Sequence, residues 1–381
     1  MLFATRGPGD LDFLTWTPDG VVGESRSSAR TAYQEIFAEL ESRGSEILQE
    51  RIFGNIEAAE DILAGRTEAT REHPRTDSPP TFVEGDPCSG GSFAGIHLIT
   101  ARSADHGTPK SIDHNGTICG RQVKGTEASY LSLSDVARLA EPRDRTPAED
   151  ARNTLNLARE LLVANGWSFH QVRRTWFYLD DILSWYDDFN RARNEVFVEL
   201  GLLNGSRPGV IPASTGIRGR NMHGHRCTLD LLAIRSDKSQ RVEFDLLHNP
   251  LQNEAPEYGS AFSRGLTVAT ASSRYLFVSG TASIDESGTT IHGGSFKRQT
   301  RRTLDNIESL LASRGAVMDD ICQATIFIKD QDDLSKLTPI LRSRGLDGIP
   351  MVCTVDDVCR DDLLVEIDAT AMMPHRFGND D

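Results

Sequence analysis

The sequence predicts an α+β protein built from three tandem copies of one unit, each a mixed β-sheet with helices on one face. Two observations support this: a long segment recurs at a fixed spacing, and strand-like and helix-like stretches alternate in the same order within each copy. The copies are assigned to residues 1–110, 111–240 and 241–381. Three such units in one chain can pack around a pseudo-threefold axis, as homotrimer subunits do, leaving clefts between neighbours.

The repeat is clearest between the second and third copies. The stretch from Thr154 to Asp181 aligns without a gap on the stretch from Thr303 to Asp330, a constant offset of 149 residues. Each stretch contains a helix stopped by a glycine, Gly166 or Gly315, followed by a strand rich in β-branched and aromatic residues. Each copy is therefore predicted to run strand, strand, helix, strand, helix, strand.

The third copy shows the expected periodicities. Apolar residues recur three and four positions apart between Gln299 and Ser313, which predicts one buried helix face: Leu304, Ile307, Leu310 and Leu311. The runs Ala324–Ile328 and Leu363–Ile367 are short and apolar, as expected of strands.

The first copy is weaker but can be traced. Leu2–Gly7 is its predicted first strand, Arg30–Arg43 its helix, Gly44 the position that ends the helix, and Gly95–Ile99 its last strand.

Composition excludes several classes of function. The chain has 381 residues, 38% hydrophobic and 25% charged, as expected of a globular protein that forms a core. A net charge of −15 disfavours nucleic acid as a partner. The sequence has neither a stretch long and apolar enough for a bilayer nor an N-terminal signal pattern, so a cytoplasmic location without membrane attachment is expected. Six dispersed cysteines without a CxxC pair predict free thiols.

Several stretches of the third copy resemble known proteins. Phe262-Ser263-Arg264, followed by Leu276–Asp285, resembles the opening hairpin of YjgF/RidA proteins, and Leu364–Ile367 resembles their last strand. Two further stretches, Asn249–Gln252 leading to Tyr258-Gly259 and then Asp357–Ile367, are similar to the C-terminal half of chorismatases.

The second copy extends the resemblance. Pro212–Ile217, and Tyr186–Asn190 with Arg193, resemble the preceding domain of chorismatases. The resemblance implies tandem YjgF/RidA-like repeats forming a pseudo-trimer. It also implies an enzyme that removes pyruvate from the small molecule chorismate, without a cofactor or metal.

One departure weighs against the commonest activity of the fold. RidA-type imine deaminases carry an arginine just after the proline of the penultimate strand, whereas Pro350 here is followed by Met351-Val352. We align Glu366 of the third copy with Asp230 of the second, so that the third copy alone keeps the glutamate.

Glu366 is the candidate catalytic acid. Removing pyruvate from an enolpyruvyl ether requires a proton on the vinyl carbon, and so a carboxylic acid that is protonated near neutral pH. The apolar strand around Glu366 predicts a raised pKa. The alternative is a structural carboxylate that faces water or pairs with an arginine. Cys359 is the second candidate, because the resemblance links a cysteine seven residues before the acid to release of 3-hydroxybenzoate; the alternative is a small buried thiol.

Chorismate is a dianion, so its carboxylates need cationic partners, for which arginine is best suited. Position within the matched motifs selects Arg264, Arg193, Arg360 and Lys329, each with the alternative of a solvated surface charge. Tyr178 and Tyr258 are candidates to cover the ring, or are core aromatics. Ala282 is a further candidate for the ring pocket.

Other interpretations stay open at this point. His223, His225 and Cys227 alternate along the chain, but no second ligand cluster accompanies them, so the segment is interpreted as a basic loop or strand edge and not a metal site. The product is either 3-hydroxybenzoate or, by hydrolysis, a 3,4-dihydroxycyclohexa-1,5-diene carboxylate. The alternative functions are a RidA-like enamine or imine hydrolase and a noncatalytic metabolite-binding protein. Monomer and homo-oligomer are equally compatible with three internal repeats.

Overall fold

A computed structural model describes residues 1–20, 23–73, 78–102, 109–141, 145–203, 210–237 and 240–377, with the Tyr258 side chain outside the described part. It contains three mixed sheets, each carrying helices on its outer face. This confirms the α+β class and the repeated units. The elements of the first unit are β1 Leu2–Arg6, β2 Leu11–Trp16, α1 Ser25–Arg43, β3 Glu46–Gly54, α2 Ala59–Glu72, β4 Thr81–Glu84, β5 Asp86–Pro87 and β6 Phe93–Ala101.

The second and third units repeat this order with additional strands. The second has β7 Lys110–His114, β8 Thr117–Lys124, β9 Ser129–Leu133, α3 Pro147–Ala164, β10 Val172–Leu179, α4 Ile182–Glu199, β11 Ala213–Arg218 and β12 Cys227–Arg235. The third has β13 Glu243–Leu246, β14 Gly265–Ala269, β15 Ser273–Ala282, α5 Phe296–Ala312, β16 Ile321–Ile328, α6 Leu334–Ser343, β17 Met351–Val355 and β18 Val365–Pro374.

The three sheets share one strand arrangement. Their orders are β1-β2-β6-β3-β4, β7-β8-β9-β12-β10-β11 and β13-β14-β15-β18-β16-β17-β5. One neighbouring pair in each sheet is parallel, β3 with β4, β10 with β11 and β16 with β17. The short strand β5, which comes from the first unit, pairs with β17 and completes the third sheet. Part of the first unit is therefore built into the third sheet, and the boundaries at 110 and 240 stay predictions.

The apolar residues form one central core and three peripheral ones. Each peripheral core lies between a sheet and its own pair of helices, α1 and α2, α3 and α4, or α5 and α6. The central core joins the inner faces of all three sheets. α1 begins earlier than predicted, at Ser25, and ends as predicted at Gly44, whose φ of 62° favours glycine. Among the described helices, none is both long and apolar enough to cross a membrane.

Polar side chains link the units where the sheets meet. The Arg51 guanidinium of β3 lies 4.1 Å from the ring centre of Trp176 on β10, and its Nη2 donates to Gln323 Oε1 of β16 at 3.0 Å. One buried arginine thus contacts both other units. Gln323 Nε2 in turn donates to the carbonyl oxygens of Leu14 and Leu98 at 3.1 and 3.3 Å.

The strand register corrects one sequence alignment. All three units carry an irregularity at the same place, before Gln49, Arg174 and Gln323. Counting from it, Glu366 lies opposite Phe327, and the equivalent pairs are Thr228 opposite Tyr178 and Gly95 opposite Phe53. The counterparts of Glu366 are therefore Thr228 and Gly95, and the alignment with Asp230 was wrong by two residues. Asp230 corresponds to Asp368, and His97 is the third member of that set.

The three clefts between units consequently differ. Between the first and third units, Val352 of β17 fills the space beside Gly95. Between the first and second units, Thr81 Oγ1 of β4 donates to Asp230 Oδ1 at 2.6 Å. The cleft between the second and third units is the one that holds Glu366.

Asp10 ties the first unit to the β8–β9 turn of the second. Its buried carboxylate accepts backbone N–H bonds from Thr126, Glu127 and Ala128 at 2.9, 2.8 and 3.2 Å, and the Tyr130 hydroxyl at 3.2 Å. Removing the carboxylate leaves these donors unpaired, with Ala128 and Tyr130 buried.

We predict that Asp10→Ala lowers the free energy of unfolding by about 2–4 kcal/mol in urea denaturation. The control is Asp113→Ala, because exposed Asp113 makes one turn hydrogen bond, to the Gly116 N–H at 3.0 Å; we expect a loss under about 1 kcal/mol. Equal losses in the two variants would contradict an interface role for Asp10.

Candidate active site

The candidate site lies where the edge of the second sheet meets the third sheet. Ala213 of β11 forms an isolated parallel bridge with Ser263. The Ser214 N–H donates to Ser279 Oγ at 2.8 Å, and that hydroxyl donates to the Ser263 carbonyl oxygen at 2.6 Å. Ser279 therefore satisfies edge-strand groups that would otherwise be unpaired, and fixes β11 beside β15.

A small cavity of about 40 Å³ lies beside this contact. Six of the nine candidate residues line it: Glu366, Cys359, Arg264, Arg193, Arg360 and Ala282. The remaining lining residues are Tyr186, Ser214, Gly216, Phe262, Gly280 and Ile284. Half of the residues that line this cavity are therefore candidates predicted from the sequence, and they come from both units.

An open cleft of about 530 Å³ adjoins the cavity. Tyr186, Cys359 and Arg360 line both spaces and so form the partition between them. The cavity as it stands has room for roughly one water, whose share of liquid volume is about 30 Å³. A larger ligand therefore needs these side chains to move and join the two spaces.

Glu366 is buried at the inner wall. It lies on β18 between Ala282 of β15 and Phe327 of β16, with 4% of its surface exposed. Burial raises its pKa to about 8, and the nearby Asp368 charge adds to the effect, against the opposing influence of Arg174, Arg264 and Arg360. Its carboxyl group is therefore largely protonated at pH 7.

Gly280 makes room for this carboxyl group. A β-carbon at position 280 would collide with Glu366 Oε1 and would also contact Thr215. The ladder between β15 and β18 shifts register between Val278 and Thr281, so Gly280 lies at an irregularity. A residue without a side chain is required there for steric reasons.

Cys359 lies in the loop between β17 and β18. Burial raises the pKa of its thiol to about 12, and the neighbouring Glu366 acts in the same direction. A hydrogen bond with Tyr186 opposes the shift. Cys359 is therefore a neutral thiol at pH 7 and not a thiolate nucleophile.

Tyr186 reaches the cavity because α4 is distorted near its start. Trp185 has non-helical backbone angles, φ −148° and ψ 16°, and its Nε1 donates to the Asp180 carbonyl oxygen at 2.7 Å. Tyr186 follows this kink and stacks on Phe189 with ring centres 6.1 Å apart. The kink places the Tyr186 hydroxyl beside Cys359 instead of along the helix surface.

Three arginines enter from three different segments. Arg193 of α4 donates from Nη2 to Asn190 Oδ1 at 2.7 Å, and its guanidinium lies 4.9 Å from the Phe189 ring centre. Arg264 Nε donates to the Asn253 carbonyl oxygen at 2.8 Å. Arg360 Nη1 donates to the Gly288 carbonyl oxygen at 2.9 Å. These contacts hold the guanidinium groups in place around one buried acid.

Two candidate residues lie elsewhere. Lys329 lines neither the cavity nor the adjoining cleft; its Nζ donates to the Asp361 carbonyl oxygen at 2.9 Å and lies 3.9 Å from Asp357 Oδ1. Tyr178 is buried in the central core, where burial raises its pKa well above the ordinary value and where Arg51 and Asp230 are its charged neighbours. It therefore belongs to the cleft between the first and second units. The side chain of Tyr258 lies outside the described residues.

The alternating His223, His225 and Cys227 do not converge. His223 Nε2 lies 3.4 Å from Asp135 Oδ2, His225 Nδ1 lies 3.6 Å from Asp150 Oδ1, and Cys227 is buried in β12. Over the described ranges, no group of three or more histidine, cysteine or acidic side chains could hold a metal ion.

A second layer of polar residues, absent from the predicted site residues, lies behind Glu366. Arg174 Nη2 donates to Asp368 Oδ2 at 2.9 Å and to Thr215 Oγ1 at 2.6 Å, and Thr215 Oγ1 donates to the same Asp368 oxygen at 2.8 Å. A signal was present: Arg174 is a charged residue inside an apolar strand, and Asp368 follows Glu366 on the same strand face.

This chain is similar to several known proteins. The Endoribonuclease L-PSP family profile matches residues 253–373, which lie within the third unit. The 3-hydroxybenzoate synthase of Streptomyces hygroscopicus is 30% identical over 235 residues, 56% of this chain and 66% of that protein. The chorismatase of Streptomyces rapamycinicus is 28% identical over 333 residues, 80% of this chain and 87% of that protein. This chain is a homologue of the chorismatases.

The fold of this chain matches that of a solved structure as well. A crystal structure of chorismatase superposes with a TM-score of 0.62 over 96% of this chain and 100% of the other, at 18% identity. This likeness establishes the fold of this chain across all three units. The aligned region spans slightly under two thirds of the Streptomyces hygroscopicus 3-hydroxybenzoate synthase.

The pKa of Glu366 predicts how stability depends on pH. The folded protein holds the Glu366 proton up to about pH 8, whereas a glutamate in the unfolded chain releases its proton near pH 4.5. The free energy of unfolding therefore falls as pH rises from about 5 to 8, by about 2–5 kcal/mol from this group. Glu366→Gln removes the pH-dependent contribution of this carboxyl group. The free energy of unfolding of the variant, compared with that of wild type, should therefore rise as the pH increases. Urea denaturation of both proteins at several pH values measures the difference, and parallel curves would contradict a raised pKa.

Proposed function

We propose that this protein converts chorismate, a small molecule, releasing pyruvate and 3-hydroxybenzoate. The observation that carries the proposal is a buried, protonated glutamate in a cavity lined by three arginines. The reaction needs an acid, and the substrate brings two carboxylates. The homology to chorismatases supports the same assignment.

Glu366 is the proposed proton donor. Its carboxyl proton goes to the methylene carbon of the enolpyruvyl group, and the ether carbon becomes an oxocarbenium-like cation. Glu366 is then a carboxylate beside that cation and stabilises it in a site of low dielectric constant. A glutamate of ordinary pKa would hold little proton at pH 7, which is why the buried position matters.

The three arginines are the proposed carboxylate partners. Guanidinium groups pair with carboxylates in a forked geometry and stay charged when buried. Arg193, Arg264 and Arg360 together exceed the two negative charges of chorismate, so a dianion can enter a cavity that also holds Glu366. Ala282, beside Glu366 in the ladder, has a small side chain that leaves space for the ring.

The product is proposed from the character of the cavity. Chorismate has the summed composition of pyruvate and 3-hydroxybenzoate, so aromatisation admits no net water, whereas the dihydroxycyclohexadiene carboxylate route consumes one. Cys359 lines the cavity with a neutral thiol, which cannot act as a base toward water. The absence of a thiolate base at this position favours aromatisation over hydrolysis.

The imine-hydrolase alternative is weaker for a structural reason. The strand that faces Glu366 is β11 of the second unit, not β17 of the third, so the relevant proline is Pro212. Ala213 and Ser214 follow it, and neither can replace the arginine of RidA-type deaminases. Met351 and Val352 follow Pro350 on β17, which borders the cleft between the first and third units, and no arginine follows the proline in either cleft. The noncatalytic sensor is also a weaker alternative, because ligand binding alone does not require the raised pKa of Glu366.

We predict that the purified protein releases pyruvate from chorismate without added metal or nucleotide. Glu366→Gln should lower the rate by about 10²–10⁴-fold, the usual contribution of a general acid. Coupled detection of pyruvate, with chromatography of the aromatic product, measures both. Asp230→Asn is the control, because it neutralises a buried acid in the neighbouring cleft. A folded wild-type protein without pyruvate release would overturn the proposal.

We predict that Arg264→Gln raises KM for chorismate about 10–100-fold, since one charged hydrogen bond contributes about 1.5–3 kcal/mol. Lys329→Gln should leave KM unchanged, because Lys329 lies outside the cavity. Initial rates over a range of chorismate concentrations separate KM from kcat. A KM that responds to Lys329 and not to Arg264 would place the substrate elsewhere.

A further inference from the structure

We propose that Asp368 and Arg174 are positioning residues for Glu366, and that their ion pair sets the pH range in which Glu366 can deliver a proton. The inference rests on the proposed function and names the groups that control it. Neither residue lines the cavity, so neither is assigned a contact with substrate.

The geometry places the pair directly behind the acid. Asp368 and Glu366 are two residues apart on β18, so their side chains leave the same face of the strand. Arg174 comes from β10 of the second unit and donates to Asp368 Oδ2 at 2.9 Å. Thr215 of β11 joins them, accepting from Arg174 at 2.6 Å and donating to Asp368 at 2.8 Å.

Arg174, Thr215 and Asp368 are all buried. Arg174 and Thr215 are each 1% exposed, and Asp368 is 4% exposed. Burial lowers the pKa of Arg174 to about 10, which still leaves the guanidinium charged at pH 7. Charges so poorly screened act strongly on a neighbouring carboxyl group.

The pair acts on Glu366 in two opposite directions. The Asp368 carboxylate disfavours ionisation of Glu366, whereas the Arg174 guanidinium favours it. Several other groups also face Glu366 and must be held constant in any test. These are Arg264 before β14, Cys359 and Arg360 in the β17–β18 loop, and Arg193 of α4 across the cavity.

The other two units show that the fold does not require this combination. In the second unit Asp230 takes the place of Asp368 and accepts a hydrogen bond from Thr81, the counterpart of Thr215, but Thr228 replaces Glu366. In the first unit His97 takes that place, with Gly95 in the position of Glu366. Two acids on one strand face occur only in the cleft with the three arginines, among the three equivalent strands described.

The test compares pH profiles of chorismate turnover for wild type, Asp368→Asn and Arg174→Gln. Removing the Asp368 charge should move the upper apparent pKa of kcat down by about one unit, and removing the Arg174 charge should move it up. At pH 7.5 the asparagine variant should then lose about threefold in kcat, and lowering the pH to 6 should restore it. Asp230→Asn, the equivalent substitution in the second unit, should leave the profile unchanged.

A role confined to stability would lower the amount of folded protein without moving these apparent pKa values in opposite directions. Unshifted profiles, or shifts of the same sign in both variants, would overturn the proposal. Asp230→Asn moving the profile as much as Asp368→Asn would also overturn it.

A second readout works without turnover. In protein labelled with carboxyl-¹³C glutamate, the Glu366 signal is identified by its loss in Glu366→Gln, and its titration is followed by NMR. A shifted titration in Asp368→Asn, in a protein that releases no pyruvate, would overturn the proposed function and support the positioning role. Turnover with an unshifted titration would overturn the positioning role and leave the function standing.

Discussion

The buried ion pair between Arg174 and Asp368 is the interaction on which the rest of the site depends. It crosses the boundary between the second and third units with almost no solvent access. Such pairs cost much of their attraction in lost hydration, so they are poor stabilisers unless additional hydrogen bonds complete them. Thr215 supplies those bonds and belongs to the same edge strand that Ser279 fixes through Ser214. Electrostatic and strand-edge contacts thus fix the same two surfaces together.

Charge balance explains how a strongly acidic chain could hold the proposed anionic substrate. The net charge of −15 is spread over the surface, where salt screens it over about 10 Å. Inside the cavity the local balance is opposite, with three guanidinium groups and one protonated acid. A ligand within the cavity experiences the unscreened local field and little of the distant surface charge.

The sequence was informative where local patterns decide structure. The offset of 149 residues located the matching helices and middle strands, and the apolar run around Glu366 indicated its burial. The offset says nothing about the last strand of each unit, because the loops before it differ in length. The alignment of Asp230 with Glu366 failed for that reason, and only ladder pairing corrected it.

The candidate site was also predictable only where local sequence motifs determine it. Arg193, Arg264 and Arg360 lie in matched motifs and reach the cavity, whereas Lys329 lies in one and is turned away by backbone and carboxylate partners of its own. Arg174 was missed because an arginine within an apolar strand, here next to Arg173, has no visible partner until two units are brought together. A contact between segments 194 residues apart, like that of Arg174 with Asp368, cannot be read from spacing.

The joining of three units in one chain has a consequence for how such a protein can change over generations. In a trimer of identical subunits, each substitution appears in all three clefts, so a change that seals one cleft also destroys the others. Here Val352 can close the space beside Gly95, and Thr81 can bind Asp230, without altering the cleft of Glu366. Two of the three interfaces are therefore free to evolve toward tighter contact between units, while selection on the proposed chemistry acts on the third alone.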